Sequence, residues 1–210
     1  MIKKNIITKK KNKLTDKKQA KGFYGVLLEK FILKDFYLSN YESRNEKYDL
    51  PVCFNVVDKT NVSVKSFRKG TIYLSDIDNF LKSKNLTLIL IKYELRSKNK
   101  VKILGCYKLD KEETRCLLKH CNLIDKKKLQ DLKNYFFSLS YPTVTRSQRN
   151  RYIALSREIG EKNLLTINCK LSRTNKRIQS SLSFSKLNSF FFFKKDNWLI
   201  HQYTNYIIDI

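Results

Sequence analysis

The stretch LTLILIKYEL, residues 86–95, constrains the fold more than any other. Its near-continuous apolar run predicts a strand buried on both faces, in the middle of a sheet. VKILGCYKL (101–109) follows as a second strand, with the polar turn RSKNK between them. Upstream, YESRNEKYDLPVCFNVVDKTNVSVKSF holds two β-like runs joined by the turn-prone DKTN. Pro51 makes the first of these an edge or bulged strand. TIYLSDIDNFLKSK predicts a short strand or turn and then a helix capped by Ser75 or Asp76.

Helices are expected on both sides of this β-rich centre. From Thr15 or Asp16, which can cap, a helix is predicted to Asp35. Its apolar stripe runs through Ala20, Phe23, Val26, Leu27 and Ile32, with Lys30 as a charged interruption and Gly22 and Gly25 within it. After Asp110, DKEETRCLLKH and KKKLQDLKNYFFSL both show i, i+3, i+4 apolar spacing. Pro142 ends that region, and TRSQRNRYIALSREIG makes another helix stopped by Gly160. The remaining stretches, 163–193 and 198–210, read as strands, and the four consecutive Phe as a buried strand or, second, a dimer interface. The fold class is therefore α/β, a mixed sheet core flanked by helices with a β-rich C-terminal part.

At 210 residues the chain suits one sizeable core, or one core plus a small appendage. Thirteen Phe and twelve Tyr exclude wholesale disorder despite 30% charged residues. Residues 1–13 read as a basic mobile arm, 14–140 as the core, and 141–210 as a helix and β-rich part of the same domain. No apolar run approaches the roughly 18 residues of a membrane span, and the basic N-terminus lacks the apolar segment of a secretory signal. Five irregularly spaced cysteines read as thiols of an intracellular, reducing compartment. Cys116, His120 and Cys121 lack a second ligand pair at ordinary spacing, so no zinc site is expected there.

The net charge of +25, from 44 basic and 19 acidic residues, predicts a polyanionic partner, with nucleic acid ahead of a membrane surface. Lys, Asn and Ile are abundant together, as an AT-rich genome imposes, so part of the lysine excess reflects codon usage. Two segments suit DNA contact. RSQRNRY places Arg146, Gln148 and Arg149 at a helix N-terminus, and SRTNKRIQ places Arg173, Asn175, Arg177 and Gln179 in a turn and the strand after it. Arg, Asn and Gln can pair bidentately with base edges, although phosphate is the commoner partner.

In NVSVKSF, Val62 and Val64 share one strand face and Ser63 and Lys65 the other. If DKTN closes a hairpin, Asp49 comes level with Lys65; Asp58, seven extended residues away, would lie about 20 Å off. A carboxylate, a lysine and a divalent ion suit phosphodiester cleavage, because the ion stabilises charge on phosphorus and acidifies bound water.

Asp49 followed by Ser63-Val64-Lys65 resembles the core motif of the PD-(D/E)XK nucleases, in particular the type II restriction endonucleases. KGFYGVLLEKFI is similar to the helix before that core, which can contribute a glutamate, here Glu29. VSVKSFRKGTIYLSDIDNFL and LTLILIKYEL match its lysine strand, helix and central strand, and NLLTINCKLSRTNKRIQSSLSF resembles a C-terminal segment used on DNA. The likeness spans roughly residues 20–185. It implies a restriction-endonuclease-like core and a Mg²⁺-dependent endonuclease acting on double-stranded DNA, commonly as a homodimer. Asp49 and Glu29 would hold Mg²⁺, and Lys65 would orient or activate the attacking water. One position departs: the family has Asp or Glu where this chain has Ser63, and a hydroxyl brings no negative charge to a metal. Either Glu29, Asp76 or Glu94 fills in, or the site is weak or inactive. The rival expectation is a non-catalytic nucleic-acid-binding protein, ribosome-associated or packaging, for which Asp49 and Lys65 are incidental.

Overall fold

In a computed structural model of the chain, residues 23–42, 47–97, 100–161, 163–191 and 198–209 are described. The expected basic arm, the first part of the N-terminal helix and most of the Phe-rich segment lie outside them. Seven strands in two sheets and six α-helices make up the described fold, which is mixed α/β.

Strand β3 (Leu86–Ser97) holds the centre of the first sheet. It pairs in parallel with β1 (Asn61–Phe67) and antiparallel with β4 (Lys100–Leu109), and β7 (Ile207–Asp209) adds to β4. Leu86 to Ile91 are all buried, as the continuous apolar run requires. Leu88 and Leu90 enter one core, with Phe67, Phe80 and Phe184. Ile89 and Ile91 enter another, with Val62, Val64 and helix α1 (Phe23–Asp35).

The second sheet is antiparallel: β2 (Thr71–Asp76), then β6 (Lys176–Ser183), then β5 (Leu165–Leu171). Gly70, at φ +81°, turns the chain from β1 into β2, a conformation a side chain would strain. Asp76 then caps α2 (Ile77–Leu81) by accepting from Asp78 N at 3.0 Å. Helices α3 (Lys111–Cys121), α4 (Lys126–Ser138) and α5 (Arg146–Gly160) follow β4, and α4 and α5 share a third core with Ile167 and Ile178. No described helix is long and apolar enough to cross a membrane.

Four expectations are corrected. The first β-like run is no strand: only Leu50 bridges to Val62, and Val52–Phe54 form a 3₁₀ turn. Pro51 lacks an N–H, Asn61 Oδ1 takes the Val52 N–H, and Asn55 Oδ1 takes those of Val57 and Asp58. Side chains thus outcompete a ladder for these donors. At the other end, FSKLNSF forms helix α6 (Phe184–Phe190) instead of a strand. Phe184, Leu187 and Phe191 reach the first core at i, i+3, i+7, a spacing that only a helix gathers on one side. WLIHQYTNYIIDI, expected as strands, gives a 3₁₀ turn at His201–Tyr203 and only the short β7 among its described residues. The buried stripe of α1 is also displaced: Leu28, Ile32 and Leu33 are covered, whereas Phe23 and Val26 are exposed.

Candidate active site

Asp49 lies along the outer edge of β1. Its N–H donates to the Val62 carbonyl (2.9 Å), and the Leu50–Val62 bridge holds the segment in register. One carboxylate oxygen, Oδ2, collects three donors: Ser63 Oγ at 3.2 Å, Val64 N at 2.5 Å and Lys65 Nζ at 3.1 Å. Lys65 Nζ also donates to the Val64 carbonyl at 3.0 Å. The Asp49 and Lys65 side chains keep 18% and 20% of their exposure, open enough for a ligand and enclosed enough to strengthen the pair.

The face carrying Ser63 and Lys65 is less open than its polar residues suggest. Strand β2 and helix α2 cover it, so that Leu74, Ser75, Asn79 and Phe80 share with Ser63 and Lys65 a recess of about 30 Å³. Lys47 and Tyr48 close its other side. None of these wall residues stands out in the sequence, because only the fold of β2 over β1 brings them there.

Glu29 approaches from α1, which packs on the opposite face of β1. Gly25, one turn earlier, permits that approach: a Cβ there would meet Ser66 Oγ at 3.3 Å. Burial first, and the Asp49 charge second, push the Glu29 carboxyl up to about 7 against the opposing pull of Lys65 and Lys30. The group expected as an accessory glutamate thus shares a field with Asp49 and Lys65, and it is poised to gain or lose a proton near neutrality.

The other candidate carboxylates are placed elsewhere. Asp76 is spent on the α2 cap. Glu94 pairs with Arg96 at 2.5 Å, and it lies four residues beyond Leu90, the β3 partner of Lys65, about 13 Å along the strand. Asp58 accepts from Tyr37 Oη (2.8 Å) and Lys108 Nζ (2.5 Å) in a cluster of its own. Of the three residues named for the role vacated at Ser63, Glu29 is the one whose carboxyl feels the charges of Asp49 and Lys65.

Among the described residues no group of three or more His, Cys, Asp or Glu side chains forms a metal set. Asp49, with the Glu29 carboxyl in its field, still suits Mg²⁺, which is ordinarily held by one or two carboxylates together with water and substrate phosphate.

The residues expected to touch DNA fall in two places. Arg146 and Arg149 are exposed on the first turn of α5, where Gln148 Oε1 accepts from Thr145 N (2.8 Å) in a capping box. Arg173 and Asn175 lie in the turn before β6, Arg177 is exposed on β6, and Gln179 is buried on it. A larger hollow, about 650 Å³ between α5 and β5, contains none of the catalytic candidates. In comparisons with protein-family models, curated proteins and solved structures, the chain matches none of them.

Proposed function

We propose that the chain is a Mg²⁺-dependent endonuclease that hydrolyses double-stranded DNA at a specific sequence, with a restriction-endonuclease-like core. The observation that carries this reading is the convergence of Ser63, Val64 and Lys65 on Asp49 Oδ2, with Glu29 in the same field. Asp49 and Glu29 would hold Mg²⁺, which supplies charge stabilisation at the phosphate and acidifies a bound water. Lys65 orients the attacking water and balances charge that develops on the phosphate oxygens. Ser63 donates to Asp49 and so aims its carboxylate, in place of contributing one. Arg146, Gln148, Arg149, Arg173, Asn175, Arg177 and Gln179 would contact DNA, and cutting both strands of a short site suits a homodimer.

The reading favoured by Ser63 alone is a non-catalytic basic nucleic-acid-binding protein, in which Lys65–Asp49 is a structural ion pair. Incubation with supercoiled plasmid and Mg²⁺ separates the two. Discrete fragments are expected from the wild type. Lys65→Ala and Asp49→Asn should each lower the rate by at least about 100-fold while retaining DNA binding. Tight binding without cleavage across many unmethylated sequences would favour the binder.

A further inference from the structure

The second sheet has one face in the cores and one outside them. On β6, Ile178 and Leu182 enter the cores, so Arg177, Gln179 and Ser181 point the other way. Register brings three more side chains to this outer face: Tyr73 lies opposite Ser181, Asn168 opposite Gln179, and Lys170 opposite Arg177. Two contacts span it. Asn168 Nδ2 donates to Ser181 Oγ at 2.9 Å, and Lys170 Nζ lies 4.7 Å from the Tyr73 ring centre. Because β6 runs between β2 and β5, the Lys170–Tyr73 pair arches over it.

Gln179 is 7% exposed, and its Oε1 is enclosed without a hydrogen-bond partner among the described residues. A buried acceptor in that state is costly, and a ligand that supplies a donor relieves it. The six side chains offer amides, hydroxyls, a π-face and two cations. Asp76, opposite Gln179, is committed to the α2 cap. The next residue back, Ser75, lines the recess of Ser63 and Lys65, so one strand, β2, serves both places.

We propose that this outer face is the sequence-reading surface, and that it takes the major groove of duplex DNA. A ribbon of strands fits that groove. Gln179 reads an adenine edge there: Oε1 accepts from N6–H and Nε2 donates to N7. Arg177 contacts the neighbouring guanine edge or a phosphate. Lys170 leaves Tyr73 for a phosphate, uncovering Gln179 as the duplex enters. The inference rests on the nuclease reading for its choice of partner and adds Tyr73, Asn168 and Lys170 to the contact surface.

The test uses the full chain without divalent metal, so that binding is read apart from cleavage. Preferred sequences are selected from a pool of randomised short duplexes, and affinities then follow from fluorescence anisotropy. Gln179→Ala should erase the preference at one base pair, a loss of roughly 10- to 100-fold for the selected duplex. Arg177→Ala, at an exposed position that folding tolerates, should weaken the selected duplex and relax a neighbouring base pair. Lys170→Ala should keep the motif and reduce the salt slope by about 1. If Gln179→Ala and Arg177→Ala both enrich the wild-type motif at wild-type affinity, the face is overturned even where the chain cuts DNA. Preference for single strands, lost in Tyr73→Ala, would overturn the major-groove assignment. A chain that selects its motif through Gln179 yet never cleaves supports the face and removes the nuclease reading. Absence of duplex binding overturns both.

Discussion

Glu29 is partly buried within the field of Asp49, and its burial first and that charge second set how it responds to pH. In the folded chain the Glu29 carboxyl keeps its proton up to about 7, against an ordinary value of 4.5. The folded value is the higher one, so the folded state is favoured while Glu29 is protonated, and that advantage is lost as pH rises through 7. The full shift corresponds to about 3 kcal/mol, and solvent reaching this half-buried group reduces it to about 1–2 kcal/mol. Glu29→Gln has the same shape and no titration. Its melting temperature should therefore rise relative to the wild type between about pH 5 and about pH 8. Added Mg²⁺ should recover the wild type at the upper pH and do little for Glu29→Gln. Parallel melts of the two proteins check both expectations, and a constant difference across the pH range would contradict them.

At the scale of elements, β3 and α1 both pack against β1, the strand that carries Lys65. Both faces of β3 are buried, Leu90 in one core and Ile91 in the other. Leu90→Ala and Ile91→Ala should each cost about 2–5 kcal/mol in denaturant unfolding. Ile91 shares its core with α1, whereas Leu90 does not. At temperatures where both variants stay folded, Ile91→Ala should therefore lower cleavage more than Leu90→Ala, because it loosens the seat of Glu29. Helices α3, α4 and α5, and strands β3 and β4, were legible in the sequence because a local period or an unbroken apolar run specifies each. Val52–Phe54 and α6 were not. Asn55 and Asn61 divert the backbone donors of one, and the facing core selects the helical spacing of the other.

For the whole molecule, charge and chain connectivity matter together. With a net charge of +25, the proposed DNA binding should weaken steeply with salt, log K falling linearly against log salt at about −0.9 per phosphate contacted. Anisotropy titrations over a range of salt should give a slope equivalent to several contacts, and a flat line would refute an electrostatic footprint. The earlier and later parts of the described chain share both sheets. Strand β2 pairs with β6 from the C-terminal part, and β7 joins the first sheet beside β4. The strand that lines the recess with Ser75 thus also carries Tyr73 to the outer face of the second sheet.

Sequence alone determined the α/β class, the buried central strand and the pairing of Ser63 with Lys65 on one strand face, because alternation and apolar runs are local properties. It also brought Asp49 level with that pair, although through a hairpin that the chain replaces with a single bridge. Tertiary structure decided which of the candidate carboxylates comes into the field of Asp49 and Lys65. Glu29 lies far from Lys65 in the chain, and its place depends on how α1 packs across β1 at Gly25. The outer face of the second sheet belongs to the same class of facts. Tyr73, Gln179 and Lys170 meet through strand pairing between distant segments, a contact that no local pattern encodes.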